Sequence, residues 1–340
     1  MTLKRPTPTL NDVATEAGVS TATVSRCLNF PDQVAEKTRR KVLEAVEGLG
    51  YSPNFGAKVM AARRTMTIGA IIPTMENAIF ARGLQAFQDE LRRHGFTLLV
   101  ASTNYRPDAE EDQIRSLVAR GADALLLIGH ERSPRIMEFL AAQAIPSLVT
   151  WAYDPASPRP SVGFDNKAAM ADMARRVIAL GHRRLALISA ATRMNDRAAQ
   201  RLEGIRQAMQ EAGLEPAALD VIETTYGIEE GANAFADLMT RIVRPTTVFC
   251  GNDVLAVGAL RAAREAGIAV PADVSIIGFD DIELAQVAYP PLTTVHVPHR
   301  EMGRQAAFAL ARMVLEGTPM ETLCLPTRLV FRDTLGPAPD

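Results

Sequence analysis

The strongest constraint on the fold is a repeated alternation of short apolar segments with longer amphipathic ones, which starts at Thr67 and continues for most of the chain. The short segments have the length and composition of strands, and the longer ones have helical periodicity. Apolar strands that alternate with helices are typical of parallel sheets covered on both faces. Two runs of about four or five such units predict two α/β lobes. The predicted strands are 68–72, 97–101, 124–128, 147–150, 185–189, 221–224, 247–250 and 275–278, and the clearest helices are 79–93, 110–120, 167–180, 197–212, 229–242 and 254–266.

The same alternation predicts where a ligand binds, because ligands of parallel α/β sheets lie beyond the carboxyl ends of the strands. Asp253 follows the apolar strand residues Val248, Phe249 and Cys250, so it is a candidate for the cleft between the lobes. An N-cap role for this aspartate is the alternative. The sequence has no GxGxxG, P-loop or HExxH pattern and no recognisable pair of catalytic carboxylates, so we predict no catalytic residue, metal site or cofactor.

The beginning of the chain has a different pattern, that of two short helices joined by a tight turn. Leu10, Val13, Ala14 and Ala17 have helical spacing, with Thr9 as the expected N-cap. Gly18 ends this helix, and Ser20 can cap a second helix that starts at Thr21. A third helix is predicted over 36–49. Together these segments predict an all-α helix-turn-helix headpiece.

Charge is distributed unevenly along the chain. Residues 1–65 contain ten basic and six acidic side chains, a net charge of +4, although the whole chain carries −2 and the remainder therefore −6. A basic head on an acidic body is typical of a modular DNA-binding protein. Small hydroxyl side chains near the start of the second helix can contact phosphates, and Arg26 can reach a guanine edge.

The residues from Thr9 to Asn29 read T-L-N-D-V-A-T-E-A-G-V-S-T-A-T-V-S-R-C-L-N, which resembles the headpiece of the LacI/GalR family of transcriptional regulators. The resemblance implies that Thr21, Ala22 and Arg26 read bases. It also implies that four further residues contact the DNA backbone or support the helix; these are Ser20, Thr23, Ser25 and Asn29. Because Ala22 has no hydrogen-bonding group, we expect it to make an apolar contact, for example with a thymine methyl group.

The segment that follows Tyr51-Ser52-Pro53-Asn54 resembles the family's hinge helix, which forms on operator DNA and enters the minor groove. In this resemblance Asn54 and Ala57 contact DNA, and Met60 is the apolar wedge between base pairs. Gly56 departs from the family pattern and weakens the helix by up to ~1 kcal/mol relative to alanine. A plain interdomain linker is the alternative interpretation.

The rest of the chain resembles the family's periplasmic-binding-protein-like core, through segments such as Ser161–Asn166, Gly278–Asp281 and Pro290–Val295. In the family, the two lobes are joined by three crossovers, which we expect near Asp165, Leu292 and Pro326. The predicted domains are therefore the headpiece 1–52, the hinge 53–66, an N-terminal lobe of 67–165 plus 292–326, a C-terminal lobe of 166–291 plus 327–335, and a disordered tail 336–340.

The resemblance also implies a set of effector-binding residues in the cleft. Asp253 accepts hydrogen bonds from ligand hydroxyls, Arg201 and Arg197 reach ligand oxygens, and Tyr226 stacks on the ligand. Trp151 stands where the family commonly has aspartate, which predicts a different ligand class, while Phe80 and Asn77 line the mouth. With two arginines and one clear acid, the effector is expected to be a sugar, and more specifically an anionic sugar acid or sugar phosphate.

These features predict a cytoplasmic, homodimeric repressor on a double-stranded, pseudo-palindromic operator. We expect no membrane span, because no apolar stretch of about 18 residues occurs, and no secretory signal. The three cysteines, Cys27, Cys250 and Cys324, predict core thiols rather than disulfides. Release of DNA by an inducer is the commoner mode in the family, and corepression is the alternative. A solute-binding transport protein and a sugar-modifying enzyme are the rivals from other classes.

Overall fold

The computed structural model describes residues 7–52, 64–76 and 78–339, and the chain forms two compact units, Met1–Thr65 and Met66–Asp340. Four predicted site residues, Asn54, Ala57, Met60 and Asn77, lie outside the described residues, as does the side chain of Asn29. Most of the predicted hinge, 53–66, also lies outside them. The hinge therefore stays a prediction.

The first unit is helical, as predicted. Among its described residues, the helices are α1 (Leu10–Ala17), α2 (Thr21–Asn29) and α3 (Glu36–Leu49), with a 3₁₀ turn at Pro31–Gln33. Gly18 ends α1 with φ of 67°, a left-handed conformation that glycine adopts without a steric penalty. The core lies where the three helices meet and contains Val13, Val24 and Val42, none of which is exposed.

The second unit contains the predicted alternation of strands and helices, with further short elements. In chain order the elements are β1 (Thr67–Ile72), α4 (Ala78–Arg93), β2 (Thr97–Ser102), α5 (Pro107–Ala119), β3 (Ala124–Ile128), α6 (Pro134–Ala142), β4 (Ser147–Thr150), β5 (Ser161–Gly163), α7 (Asn166–Ala179), β6 (Leu185–Ala190), α8 (Asp196–Glu211), a 3₁₀ turn (Pro216–Ala218), β7 (Asp220–Thr224), α9 (Ile228–Thr240), β8 (Thr247–Cys250), α10 (Asp253–Glu265), β9 (Ser275–Ile277), α11 (Glu283–Val287), β10 (Thr294–His296), α12 (His299–Glu316), β11 (Leu323–Cys324) and β12 (Arg328–Val330).

Ten of the twelve described strands form two parallel sheets, as the alternation predicts. The first sheet has the order β11-β5-β4-β3-β1-β2, and the second has the order β7-β6-β8-β9. All pairs in both sheets are parallel. The strand order reverses between β1 and β3 in the first sheet and between β6 and β8 in the second. Loops that leave such reversal points diverge to opposite faces and leave a crevice at the carboxyl ends of the strands.

Two features of the second unit differ from the sequence-based expectation. The strands β2 and β7 are only partly buried rather than enclosed on both faces, because each is an edge strand. The 18-residue helix α12 was not among the predicted helices, although it packs along α4. At their crossing, an added Cβ on Gly303 would collide with the carbonyl of Gly83, so glycine permits the close approach of the two helices.

The chain passes between the two sheets three times. It leaves the first sheet after β5, returns to it after β10 through α12, and leaves it again after β11. Near the second and third passages, β10 and β12 pair antiparallel with Val295 opposite Leu329. The passages lie near the predicted crossovers. The exact lobe boundaries stay a prediction.

The prediction of a disordered tail is wrong for 336–339. The Gly336 amide donates to the Ser275 hydroxyl over 3.1 Å, and the Ala338 amide donates to the Leu180 carbonyl over 3.0 Å. The buried His182 ring lies 3.0 Å from the Gly336 carbonyl. The sequence does not indicate that this segment is ordered, because the residues that bind it are distant in the chain and the segment has no helical or strand pattern of its own.

Candidate functional site

The exposed face of α2 carries the predicted DNA-contacting residues of the first unit. Thr21, Ala22 and Arg26 are exposed, whereas Thr23 and Ser25 are half-buried. Val24 and Cys27 face the core and fix which side of the helix faces solvent. The structure therefore presents the three predicted base-reading side chains together on an accessible surface.

Helices α1 and α2 begin with the predicted N-caps, Thr9 and Ser20. The Thr9 hydroxyl accepts a hydrogen bond from the Asp12 amide, and the Asp12 carboxylate accepts one from the Thr9 amide over 2.8 Å. This hydrogen bond from the Thr9 backbone lowers the pKa of Asp12. The Ser20 hydroxyl accepts from the Thr23 amide over 3.2 Å and lies 2.9 Å from the Thr23 hydroxyl. The start of α2 is therefore ordered by its own side chains.

The second unit contains a cavity at the carboxyl ends of both sheets, with about 350 Å³ of empty space, part of it open to solvent. Five of the seven predicted effector residues line this cavity together: Phe80, Trp151, Arg197, Arg201 and Tyr226. The other lining residues are Ile79, Tyr105, Phe164, Asn252 and Asp280. Each of these ten lies on a helix or loop that follows a parallel strand, which is the position that the fold predicts for a binding site.

Arg201 is held in place by uncharged groups. Only 7% of its surface is exposed, its Nη1 donates to the Gly251 carbonyl over 2.7 Å, and its Nε donates to the Arg197 carbonyl over 3.2 Å. Its guanidinium lies 4.5 Å from the centre of the Phe279 ring. Because these contacts are all made by uncharged groups, Arg201 presents an oriented cation to the cavity.

Arg197 lies one turn earlier on α8 and is 9% exposed. Its Nη1 forms an ion pair with Asp196 at 2.9 Å. Asp196 also accepts a hydrogen bond from the His130 amide, which follows β3 of the first sheet. Elsewhere in this unit, Arg82 of α4 pairs with Glu283 of α11 at 2.8 Å. These contacts join elements that follow strands of the first sheet to elements that follow strands of the second.

Trp151 is one of the aromatic residues that line the cavity. It follows β4 directly, has φ of 61° and is 3% exposed. Its ring centroid lies 5.3 Å from that of Phe80 and 6.1 Å from that of His299. An added Cβ on Gly83 would collide with the indole, so the glycine makes room for this side chain.

Asp253 does not line the cavity. Its carboxylate accepts hydrogen bonds from the Ile282 amide over 2.8 Å and the Thr294 hydroxyl over 2.6 Å, and the residue is fully buried. Burial raises the pKa of Asp253 to about 7. The N-cap of α10 is Asn252, whose side chain accepts from the Leu255 amide over 2.9 Å. Asp253 therefore connects α10 to the segments that precede α11 and contain β10.

Asp280 is the carboxylate that lines the cavity, and the sequence analysis did not select it. It is 3% exposed, and its Oδ2 has no hydrogen-bond partner among the described residues. Its Oδ1 lies 3.6 Å from His299 Nε2, and its φ of 105° is unusual for a non-glycine residue. Burial raises the pKa of Asp280 well above its usual value, although Arg201 opposes this effect. Its position three residues after the end of β9 is the signal that could have identified it.

Comparison with known proteins gives a family match in each of the two units. The family model described as bacterial regulatory proteins of the lacI family matches residues 9–54, and the model of a periplasmic binding protein-like domain matches 174–335. The transcriptional regulator DegA of Bacillus subtilis is 33% identical over 334 residues, which cover 97% of this chain and 98% of DegA.

The chain belongs to the LacI family of bacterial regulatory proteins. It is an HTH-type transcriptional regulator with an N-terminal DNA-binding domain and an α/β core. Among solved structures, the lac repressor dimer bound to operator and the anti-inducer ONPF is 26% identical with a TM-score of 0.85, covering 96% of this chain and 99% of the repressor chain. The complex of the transcriptional regulator CelR with cellobiose is 30% identical with a TM-score of 0.70, covering 96% and 99%.

Three further observations concern the chain and its relatives. In the part of the chain that the structure describes, no helix is both long and apolar enough to cross a membrane. Among the same residues, no group of three or more histidine, cysteine, aspartate or glutamate side chains could hold a metal ion. Its matched relatives are regulators of transcription rather than enzymes.

Proposed function

We propose that this regulator is a cytoplasmic, homodimeric repressor whose affinity for a double-stranded operator is changed by an anionic, hydroxylated effector of the sugar-acid or sugar-phosphate class. The observation that carries the effector class is that two buried guanidinium groups, those of Arg197 and Arg201, line the same cavity. Guanidinium groups bind carboxylate and phosphate oxygens through charge-assisted hydrogen bonds.

The other lining groups support a hydroxylated ligand. Among the residues that the structure describes, the buried Oδ2 atom of Asp280 has no hydrogen-bond partner, and a ligand hydroxyl would satisfy it. The aromatic rings of Trp151, Phe80 and Tyr226 offer faces for the apolar side of a sugar ring. The related CelR structure contains cellobiose, so a carbohydrate is bound by a regulator with this fold.

The proposed binding sites follow the same reasoning. The DNA contacts are assigned to Ser20, Thr21, Ala22, Thr23, Ser25, Arg26, Asn29, Asn54, Ala57 and Met60. The N-terminal lobe is assigned to 67–165 plus 292–326 and the C-terminal lobe to 166–291 plus 327–335. The His130–Asp196 and Arg82–Glu283 contacts link the two proposed lobes. Because the effector cavity lies between them, occupancy favours closure, and closure changes operator affinity by a coupling energy of typically ~1–3 kcal/mol.

Calorimetric titration of the full chain tests the effector class. We expect binding to aldonates, uronates or hexose phosphates and at least tenfold weaker binding to the corresponding neutral sugars. Binding to neutral sugars alone would contradict the proposal.

Fluorescence anisotropy on DNA from the protein's own promoter then tests regulation. A lower operator affinity with the bound effector indicates an inducer, and a higher affinity indicates a corepressor, which is the alternative mode. Equal affinity for the promoter DNA and for scrambled DNA of the same length would contradict sequence-specific binding.

A further inference from the structure

A buried pair of an acid and an imidazole lies at the wall of the effector cavity. Asp280 lines the cavity, and Oδ1 of its carboxyl group lies 3.6 Å from Nε2 of His299, the first residue of α12. Both residues are 3% exposed. Among the described residues, Asp280 Oδ2 and both ring nitrogens of His299 have no hydrogen-bond partner. The pair has therefore lost its hydration without gaining the hydrogen bonds that usually replace it.

Backbone and ring contacts hold the two groups next to each other. The Asp280 amide donates to the Val295 carbonyl over 2.9 Å, and the His299 amide donates to the Val297 carbonyl over 2.9 Å. The His299 ring lies alongside the Trp151 indole, with centroids 6.1 Å apart and an interplanar angle of 29°. These contacts fix the carboxyl group at the cavity and the imidazole beside it.

An ionised carboxylate is unfavourable at this position. A buried carboxylate without hydrogen bonds takes up a proton in preference to remaining charged. A charged imidazolium could neutralise it, but 3.6 Å is longer than a hydrogen bond, and a buried imidazolium without partners carries the same penalty. Burial raises the pKa of Asp280 well above its usual value and lowers the pKa of His299 to about 3. The favoured state is therefore a protonated carboxyl group beside a neutral ring.

The other titratable groups that face this pair do not reverse that preference. Burial has the largest effect on the pKa of Asp280; Arg201 opposes it and Asp253 adds to it. Burial also raises the pKa of Tyr105, which faces Asp280, and so keeps this tyrosine neutral. The groups that disfavour a positive charge on His299 are Arg82 of α4, His296 of β10 and Arg201 of α8.

The remaining unpaired polar atoms of the cavity residues are hydrogen-bond donors. They are Trp151 Nε1 and Asn252 Nδ2, both buried and without a partner in the described part of the chain. The Asn252 Oδ1 atom is occupied by the Leu255 amide, which assigns Nδ2 as the free donor. Carboxylates and phosphates are acceptors only. An ionised Asp280 would therefore be an acceptor and a negative charge in a cavity that otherwise offers donors to an anion.

We infer that Asp280 recognises the effector as a protonated acid whose O–H group donates to an oxygen of the effector, and that the neutral ring of His299 is a positioning residue whose Nε2–H group faces Asp280 Oδ1. The inference rests on the proposed function, because it concerns the same anionic effector in the same cavity. It adds that the proton on Asp280 removes the one negative charge that would repel this effector.

The proton makes effector affinity depend on pH. Below the pKa of Asp280 the proton is already in place, and affinity for an anion is constant. Above this pKa, binding requires that Asp280 take up a proton from solvent, so affinity falls by up to about tenfold for each pH unit. An ionised Asp280 that accepts a hydrogen bond from a ligand hydroxyl would give no such fall.

Calorimetric titration of the full chain measures this dependence. Gluconate and glucuronate are suitable probes, because their carboxylates stay ionised from about pH 6 to 10; glucose 6-phosphate is used in the upper part of this range, where it stays dianionic. We expect constant affinity at low pH, a fall at high pH, and uptake of up to one proton per site where affinity falls. Titrations in two buffers of different ionisation enthalpy measure the uptake. Affinity that stays flat over the range would overturn the inference and leave the proposed function intact.

Asp280→Asn tests which group carries the proton. Asparagine keeps an N–H donor and tolerates positive φ, but it cannot ionise. We expect its affinity to lie within about threefold of wild type at low pH and to stay constant, so that the variant binds more tightly than wild type at high pH. Asp253→Asn is the matched control, because Asp253 is also buried with a raised pKa but does not line the cavity. It should keep the wild-type pH profile. Loss of the pH dependence in Asp253→Asn alone would overturn the inference.

Two substitutions of His299 test its positioning role. His299→Leu removes the N–H group that faces Asp280 Oδ1, and His299→Gln keeps a side-chain N–H group. Because a lost donor disfavours the ionised carboxylate, the fall in affinity should move to higher pH in His299→Leu and stay near the wild-type pH in His299→Gln. If the fall occurs at the same pH in both variants, His299 only packs against the cavity wall.

Failure of the proposed function has a different signature. If gluconate, glucuronate and glucose 6-phosphate do not bind the wild-type chain at any pH while neutral sugars do, the anionic effector is wrong and the protonated recognition of it falls as well.

Discussion

The two candidate sites of this regulator are built in opposite ways. The predicted DNA-contacting surface of α2 takes its exposed side chains, Thr21, Ala22 and Arg26, from within a stretch of six residues. The effector cavity takes its lining from residues that lie between Ile79 and Asp280 in the chain, and most of them are buried. An exposed helix face can contact a large, hydrated partner such as DNA, whereas a largely buried cavity can surround a small molecule.

This difference means that a polar residue contributes differently in each site. In the cavity, Arg201 is anchored by the Gly251 and Arg197 carbonyls before any ligand arrives. On α2, Arg26 is exposed, and it gains a fixed position only from its partner. Substitutions in the cavity should therefore affect effector binding and stability together, while substitutions on α2 should affect DNA binding alone.

The largest effect is expected for Arg201→Ala. A hydrogen bond to a charged group contributes about 1.5–3 kcal/mol, so the variant should bind its anionic effector roughly 10- to 150-fold more weakly. The free energy of unfolding of the core should also fall, because the Gly251 carbonyl loses its donor. Calorimetry and thermal unfolding measure the two effects. Arg264→Ala, an exposed arginine on α10, is the control and should change neither quantity. Unchanged effector affinity in Arg201→Ala would remove Arg201 from the site.

Arg26→Ala is expected to produce the next largest effect. If Arg26 contacts a base, its loss should cost about 1–3 kcal/mol of operator affinity and relax the choice of base at one position in each half-site. Anisotropy titrations with a series of single-base operator variants measure both. Effector affinity should stay the same, in contrast to Arg201→Ala. Arg40→Ala on α3 provides a comparison, since loss of a phosphate contact there would weaken binding to all sequences alike. Unaltered base preference in Arg26→Ala would contradict the base-reading role.

The headpiece was predictable from its sequence because its signals are local. Thr9 and Ser20 cap helices within three residues of themselves, and Gly18 marks the end of α1. All eight predicted strands of the core exist, since each carries its own apolar pattern. The short strands β5, β10, β11 and β12, two or three residues each, were not predicted because such segments are too short for a period.

The cavity was only partly predictable for the same reason. Asp253 and Asp280 each follow a strand at the same edge of the second sheet, so position alone does not separate them. What separates them is that the Ile282 amide and the Thr294 hydroxyl bind the carboxylate of Asp253, while Asp280 Oδ2 has no partner among the described residues. Those partners are distant in the chain, so no local sequence pattern indicates these hydrogen bonds.

A smaller effect, confined to the shape of the cavity wall, is expected for Gly83→Ala. The added methyl group would collide with the Trp151 indole, which has little room to move among Phe80 and His299. Overpacking of this kind costs about 1–3 kcal/mol of stability, and displacement of the indole toward the cavity should weaken effector binding. Gly48→Ala is the matched control, because its new Cβ meets nothing within 4 Å and helix α3 gains propensity. If Gly83→Ala and Gly48→Ala have the same midpoint of thermal unfolding, the indole is free to move away from the added methyl group.

The smallest effect separates the two functions of Ser20, which both caps α2 and is a candidate phosphate contact. Ser20→Ala removes the acceptor for the Thr23 amide and should destabilise α2 by about 1 kcal/mol. Hydrogen exchange of the α2 amides in the full chain should then be about fivefold faster. Ser20→Asp retains a capping oxygen, so exchange should stay near the wild-type rate, while its negative charge opposes phosphate and operator affinity falls. If Ser20→Asp binds operator as tightly as wild type, Ser20 lies away from the DNA backbone and acts as a cap only.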